Sequence, residues 1–338
     1  MSRTPRLDIF LVIPVGFLIL ISGSILWSIA PKLFSGYLFL IFAGLVAFAI
    51  FSLVDFDIIS LFSKHFYVTS IALLVITLLL GRVTRGVIRW IPFGVLTLQA
   101  AEIVKPFLLV FFANNLDKKA VFLMLIPLAL VFVQPSFGVA FLLAMGFLGI
   151  VLASNVKKRY FLYIALAALL VIPIFWHFLA PYQKGRVISF VNPYADPLGA
   201  GYNSIQAQIT VGAGKFFGRG LGKGNQTQLS FLPEKQSDFI FAAISEELGF
   251  VGAGLVLAAL FLIVWRLTVY MGSARGPEAR MYLAGLFLTF VAQIGVHIGM
   301  NLGLLPITGI PLPLVSAGGS SLLGTLIGLA IAQGARKR

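Results

Sequence analysis

Long apolar runs, parted by short polar, charged or proline-bearing gaps, fill most of the chain. A membrane-spanning helix needs about 20 mostly apolar residues. Runs of that kind stand at 8–29, 33–54, 66–81, 97–115, 119–134, 136–154, 160–180, 238–265, 281–302 and 314–335. They are continuous rather than alternating, which excludes a β-barrel. The pattern predicts an all-α polytopic membrane protein with about ten transmembrane helices, read as one transmembrane domain over residues 1–338. The first run follows Arg3 and Arg6 but carries no clear small-x-small cleavage site, so it reads as a retained helix. The gap at 181–237, between the seventh and eighth runs, is 57 residues long. Its Tyr, Phe, Leu and Gln content predicts an ordered extracytoplasmic loop, since structureless loops beyond about 12–15 residues are uncommon.

Composition sharpens this picture. Of 338 residues, 59% are hydrophobic and 11% charged. Soluble domains carry about 25% charge, so this chain has too few charges to cover a soluble surface. The absence of cysteine excludes disulfides, thiol catalysis and cysteine-ligated metals. His65, His177 and His297 are too scattered to predict a histidine metal site. The net charge of +14 would suggest nucleic acid in a soluble chain. Here no nucleic-acid motif accompanies it, and the positive-inside rule accounts for many of the charges.

Laid over the spans, 14 of the 25 Lys and Arg residues fall on the N-terminal side, ten on the other, and Lys105 within a span. Both termini are therefore expected in the cytoplasm. Nine of the ten opposite charges sit in two segments, 82–96 (with Arg82, Arg85 and Arg89) and 181–237. Both face one compartment, and together they predict an anionic ligand there.

The motifs carry candidate chemistry. Within the long loop, Gly212–Gly224 alternates glycine with Lys215, Arg219 and Lys223. Such a run frees backbone N–H groups to cradle an anion, although a solvated Gly-rich loop has the same composition. It is not a Walker A loop, because Gly224 stands where Ser or Thr would bind magnesium. Next comes Leu232-Pro-Glu-Lys-Gln-Ser-Asp-Phe-Ile-Phe241. Ser237 or Asp238 suits a helix N-cap; alternatively Asp238 is a general base at the membrane boundary. The helix N-terminus and nearby cations are expected to lower its pKa.

Glu246 and Glu247 are expected about 12–14 Å deeper than Asp238, as intramembrane acids. Glu102 and Lys105 stand three apart and can pair. These four residues, with Ser316 and Ser320, read as a polar network; whether it only supports the bundle or also shapes a substrate cavity stays open. Arg89-Trp90 reads as an interface pair or a contact for lipid or sugar. Gln134-Pro-Ser-Phe-Gly138 reads as a structural turn. The segment Asn301–Ser321, broken by three prolines and several glycines, predicts a cavity, because irregular backbone at membrane depth must be buried or line water.

The phrases NPYADPLGAGYN, FLPEKQSDFIF, EELGF and LPITGIPLPLVSAGGSS, in this order and spacing, resemble the SEDS family of cell-shape, division and sporulation proteins typified by RodA and FtsW. Four positions depart from the family pattern: Ala100 and Ala101, which make Gln99-Ala-Ala-Glu102 of Gln-Pro-Ser-Glu, Ser136 for an acid, and Ala317 for Tyr. The resemblance implies a peptidoglycan glycosyltransferase in the bacterial cytoplasmic membrane. Such an enzyme polymerises lipid II on the outer face, beside a class B penicillin-binding protein. It places the catalytic aspartate on Asp238, the aromatic–basic segment on Arg89 and Trp90, the Glu–Lys pair on Glu102 and Lys105, and a further acid on Glu246 or Glu247.

The mechanism expected is a single displacement with inversion. Arg89, Lys215, Arg219 or Lys223 neutralises the pyrophosphate, and Glu234 and Lys235 join the substrate site. The leaving-group charge is neutralised either by these Lys and Arg side chains or by a divalent cation, Mg or Mn, and the sequence leaves the two open. A lipid II flippase or a non-catalytic scaffold for the penicillin-binding protein are the alternatives.

Overall fold

The structure, a computed structural model, describes residues 7–84, 87–93, 96–117, 119–155, 181–199 and 201–337. The chain is a helical polytopic membrane protein. Its elements are α1 (Ile9–Ile29), α2 (Pro31–Leu53), α3 (Phe56–Leu61), α4 (Ser63–Leu80), β1 (Arg82–Thr84), β2 (Val87–Phe93), β3 (Leu96–Leu98), α5 (Ala100–Ile103), α6 (Lys105–Asn114), α7 (Ala120–Val133) and α8 (Phe137–Ala153). The long loop contributes α9 (Pro181–Val191), α10 (Tyr202–Ala213) and α11 (Asn225–Gln228). Then come α12 (Ile240–Gly272), α13 (Pro277–Asn301) and α14 (Gly319–Gly334).

Five helices, α1, α2, α4, α12 and α13, are long and apolar enough to cross a membrane by themselves, while α6, α7, α8 and α14 are shorter apolar helices. The span expected at 160–180 lies outside the described residues, as do Arg85 and Lys118. The run expected at 97–115 divides into β3, α5 and α6, with Pro106 in the first turn of α6, where its missing N–H costs nothing. The basic segment 82–96 forms a small antiparallel sheet in the order β1-β2-β3, an element the apolar pattern does not announce.

The bundle is built on α13, which lies along α8 and α12, while α14 lies along α2. Small residues set the α8–α13 spacing: a side chain at Gly149 would meet the backbone of Ala284, and one at Gly146 the Thr289 hydroxyl. Close approach through small residues is the usual device where lipid offers no hydrophobic drive between helices.

Two side-chain rungs tie α1 to α12. At one end the Asp8 carboxylate accepts from Arg266 Nε at 2.6 Å, Tyr270 Oη at 2.6 Å and Arg336 Nη1 at 2.7 Å. At the other, Ser28 Oγ donates to Glu247 at 2.7 Å. About 20 residues separate the rungs on each helix, or about 30 Å, the thickness of a bilayer's hydrocarbon core. The second rung marks the end of the bundle that carries the long loop.

Burial pushes the Asp8 carboxyl up, but the hydrogen bonds from Tyr270 and Arg266 and the charges of Arg266 and Arg336 outweigh it and hold it below the usual carboxylate range. Asp8 therefore stabilises the fold above its unfolded pKa and loses that contribution as pH falls through its folded pKa. Asp8→Asn is expected to cost about 1.5–3 kcal/mol near neutral pH. Thermal unfolding in detergent checks this, and the difference from wild type should shrink as the pH is lowered.

Candidate functional site

A polar cavity of about 460 Å³ lies at the loop end. Arg89 and Trp90 of β2, Glu102 of α5, residues 135–139, Arg186 of α9, Glu234 and 237–239 of the turn before α12, the irregular segment 307–311 and residues 317–321 at the start of α14 wall it. An apolar groove of about 760 Å³ between α7, α8 and α13 shares Phe137, Gly138, Thr308 and Ile310 with it.

Asp238 owes its position to the turn before α12. Glu234 adopts a left-handed backbone (φ 50°), and its carbonyl accepts from the N–H groups of Ser237, Asp238 and Phe239 at 3.0, 3.1 and 3.3 Å. Neither Ser237 nor Asp238 caps the helix. Phe239 is the N-cap and supplies no side-chain bond, while Ser237 Oγ donates to Glu234 Oε2 at 3.3 Å. Asn301, at the end of α13, does the capping instead. Its Oδ1 accepts from Ala242 N at 3.1 Å, and its Nδ2 donates to the carbonyls of Asp238 at 3.0 Å and His297 at 2.8 Å. The Asp238 carboxyl is thereby left to face the cavity.

Protein surrounds that carboxyl except at its opening onto the cavity. Burial raises its pKa, and the charge of Glu234 raises it further. Arg186, Arg89 and the Ser237 hydrogen bond pull the other way and do not prevail. The expectation of a lowered pKa is thus corrected: one first-turn amide, Ala242 N, is taken up by Asn301, and the loss of water outweighs the cations.

The opposite wall is stitched to this turn. Ser316 Oγ donates to Ser237 O at 2.7 Å and accepts from Leu312 N at 2.8 Å; Ala317 N donates to Gln236 O at 2.9 Å. Ser320 Oγ accepts from Gln99 N at 2.8 Å, and Gln99 Nε2 donates to Ser136 Oγ at 3.0 Å. The turn at Gln134–Gly138, expected to be structural only, therefore also lines the cavity. Glu102 and Lys105 form a buried ion pair at 2.8 Å with Glu102 on the cavity wall. The Arg89 guanidinium lies over the Trp90 ring, 4.0 Å from its centroid. Arg186 Nη1 donates to Ile307 O at 3.3 Å. Arg186 and Asn301 were not singled out in the sequence; the one trace of Arg186 was the basic bias of the long loop.

The glycine-rich segment does something else. Lys215, Arg219, Lys223 and Lys235 do not line the cavity. Helix α12 breaks at Gly249 (φ 70°, ψ −167°), and the loop splices into the break. Arg219 N and Gly220 N donate to Glu246 O and Glu247 O at 2.8 and 2.9 Å. Phe250 N and Val251 N donate to Lys215 O and Phe216 O at 2.9 and 3.2 Å. Amides of the long loop hold two carboxyl groups of the chain itself. Glu246 accepts from Gln226 N and Thr227 N at 2.8 and 3.0 Å; Glu247 accepts from Gly222 N at 3.2 Å and Gln228 Nε2 at 3.0 Å. Lys235 Nζ donates to Thr227 O. Burial draws the Lys235 pKa down against the pull of Glu247 and Glu246.

The two glutamates are fully buried at the level of the Ser28 rung. From Ile240 to Glu247 every residue is buried, whereas exposed apolar positions recur from Phe250 onward. A helix of 33 residues is about 50 Å long, well beyond a hydrocarbon core of about 30 Å. The acids thus sit at the level of the Ser28 rung, enclosed by protein on every side.

Comparisons with known proteins agree with one another. The family model for FtsW, RodA and SpoVE, described as "Cell cycle protein", matches residues 4–337. The chain is 37% identical over 303 residues to "Peptidoglycan glycosyltransferase MrdB" of Escherichia coli K12, covering 85% of this chain and 81% of that protein. It is 31% identical over 348 residues to "Stage V sporulation protein E" of Bacillus subtilis, covering 95% and 93%. Among solved structures, a chain from "Structural coordination of polymerization and crosslinking by a peptidoglycan synthase complex" superposes with a TM-score of 0.83 at 29% identity, covering 96% of each chain. The rod shape determining protein RodA of Thermus thermophilus superposes with a TM-score of 0.72 at 25% identity, covering 97% and 95%. A family match across nearly the whole chain, on a bundle of the same architecture, means that the protein belongs to the FtsW/RodA/SpoVE family.

Proposed function

We propose that this chain is a peptidoglycan glycosyltransferase that polymerises lipid II at the loop end of the bundle, with Asp238 as general base. One observation carries the reading. A carboxyl of raised pKa faces a polar cavity that also holds two guanidiniums and adjoins an apolar groove. A lipid-linked pyrophosphate sugar has those three parts: a sugar hydroxyl to deprotonate, an anionic leaving group and an apolar tail.

In this mechanism Asp238 takes the proton of the acceptor sugar hydroxyl. That oxygen bonds to the donor's anomeric carbon as the bond from that carbon to the pyrophosphate oxygen breaks. The lipid pyrophosphate leaves against Arg89 and Arg186, in a single displacement with inversion. These two guanidiniums take the role expected of Lys215, Arg219 and Lys223, since among the described Lys and Arg residues only they share the cavity with Asp238. Burial, and after it the charge of Glu234, raises the basicity of Asp238. Among the described residues no group of three metal-ligating side chains forms, so no step of this mechanism is routed through a divalent cation.

The loop end is then extracytoplasmic, with both termini cytoplasmic, in the bacterial cytoplasmic membrane. A class B penicillin-binding protein is the proposed partner, by analogy with the synthase complex.

The pH profile tests the base. A general base works deprotonated, so turnover should fall as pH drops through the Asp238 pKa. Because that pKa is raised, the acid limb should lie above the ordinary carboxylate range of about 4. Glu234→Gln removes a like charge and should move the limb to lower pH; Arg186→Gln removes an opposite charge and should move it higher. Unmoved limbs in both variants would count against Asp238 as the titrating group.

A further inference from the structure

Helix α13 carries three buried polar side chains at a spacing of four residues, Gln293, His297 and Asn301, which therefore share one face. Each bonds to a different part of the cavity wall. Gln293 Nε2 donates to Pro311 O at 2.8 Å and His297 Nδ1 to Ile310 O at 2.7 Å. Asn301 alone reaches across to the Asp238 turn, through the Asp238 carbonyl and the Ala242 amide. The two contacts complement each other. One holds the residue that bears the carboxyl; the other satisfies an orphan amide in the first turn of α12, which no side chain of its own turn caps. Gly309, beside the Ile310 that His297 holds, comes against the carboxyl itself: a Cβ there would stand 3.5 Å from Asp238 Oδ2. One rigid face thus sets both the carboxyl and the backbone opposite it.

We propose that Asn301 is a positioning residue of the reaction, holding the Asp238 carboxyl in register with the cavity wall at 309–311 through its paired contacts with Asp238 O and Ala242 N. This rests on the reading of Asp238 as the base. Asn301 lies outside the residues that line the cavity, so it acts through Asp238 and not on substrate. Its loss therefore lowers kcat and leaves the KM for lipid II unchanged. A misplacement of about 1 Å at a reacting group costs about 100-fold in rate. Asn301→Leu, similar in size but unable to bond, should lose about that much. Asn301→Asp keeps the acceptor for Ala242 N and loses the donor to Asp238 O, so it should fall between wild type and Asn301→Leu.

The test measures kcat and KM for lipid II polymerisation by the full-length protein with its penicillin-binding partner, for wild type, Asn301→Leu, Asn301→Asp and Asp238→Asn, alongside thermal unfolding. A folded Asn301→Leu with reduced kcat, unchanged KM and partial recovery in Asn301→Asp supports the proposal. Wild-type kcat in a folded Asn301→Leu, or a loss confined to KM, overturns it. Should Asn301→Leu fail to fold, Asn301→Asp decides alone: a reduced kcat at unchanged KM supports the clamp, and wild-type kcat overturns it. Full turnover in Asp238→Asn would instead overturn the underlying reading of the base, whatever the Asn301 variants do.

Discussion

Asp238→Asn is expected to lower the rate of glycan polymerisation by about 10²- to 10⁴-fold, the usual contribution of a general base. The substitution keeps the size and hydrogen-bonding shape of the side chain and removes only its capacity to take a proton. The turn stays in place, because the Glu234 carbonyl and Asn301 hold its backbone rather than its side chain. Lipid II binding should persist, since Arg89, Arg186 and the apolar groove are untouched. The loss should therefore appear in kcat at saturating lipid II, with KM nearly unchanged. An equal loss confined to KM would mean that the carboxylate binds substrate and does not accept a proton.

Gly249→Ala is expected to loosen the long loop and destabilise the protein. Gly249 has φ 70° and ψ −167°, a region open essentially to glycine alone, and strain of that kind costs about 1–3 kcal/mol. A Cβ there would also run into the backbone of Gly218, Phe216 and Phe217, and overpacking adds about 1–3 kcal/mol. Relief comes from parting the loop from the helix break, which forfeits the four backbone bonds of the splice and exposes the amides that hold Glu246 and Glu247. Lower thermal stability in detergent should accompany new trypsin cleavage at Lys215, Arg219 or Lys223. Gly218 (φ 82°) faces the same junction.

The spans among the described residues were legible because a bilayer imposes length and apolarity on each one. Their ends shifted by a few residues, and the 97–115 run broke where Pro106 prevents a single helix. Asp238 stood out as an acid at a span boundary. Its pKa direction did not, because sequence reveals nearby charges but not who satisfies the helix amides or how much water remains. Asn301 takes that role from 63 residues away. Composition marked the glycine-rich segment as a candidate anion cradle but could not say that it splices into the helix beside Glu246 and Glu247 of the same chain. That pairing depends on the break at Gly249, which hydropathy does not register inside an otherwise apolar helix.

The central claim is that the Asp238 cavity performs glycosyl transfer on a lipid-linked sugar. The most direct measurement gives purified protein, with a co-expressed class B penicillin-binding protein, lipid II in liposomes. It follows glycan polymer on a gel and lipid II movement between leaflets, for wild type and Asp238→Ala. The account predicts polymer from wild type and none from the folded variant. Lipid II crossing the bilayer with no polymer from either protein would contradict it and point to a flippase.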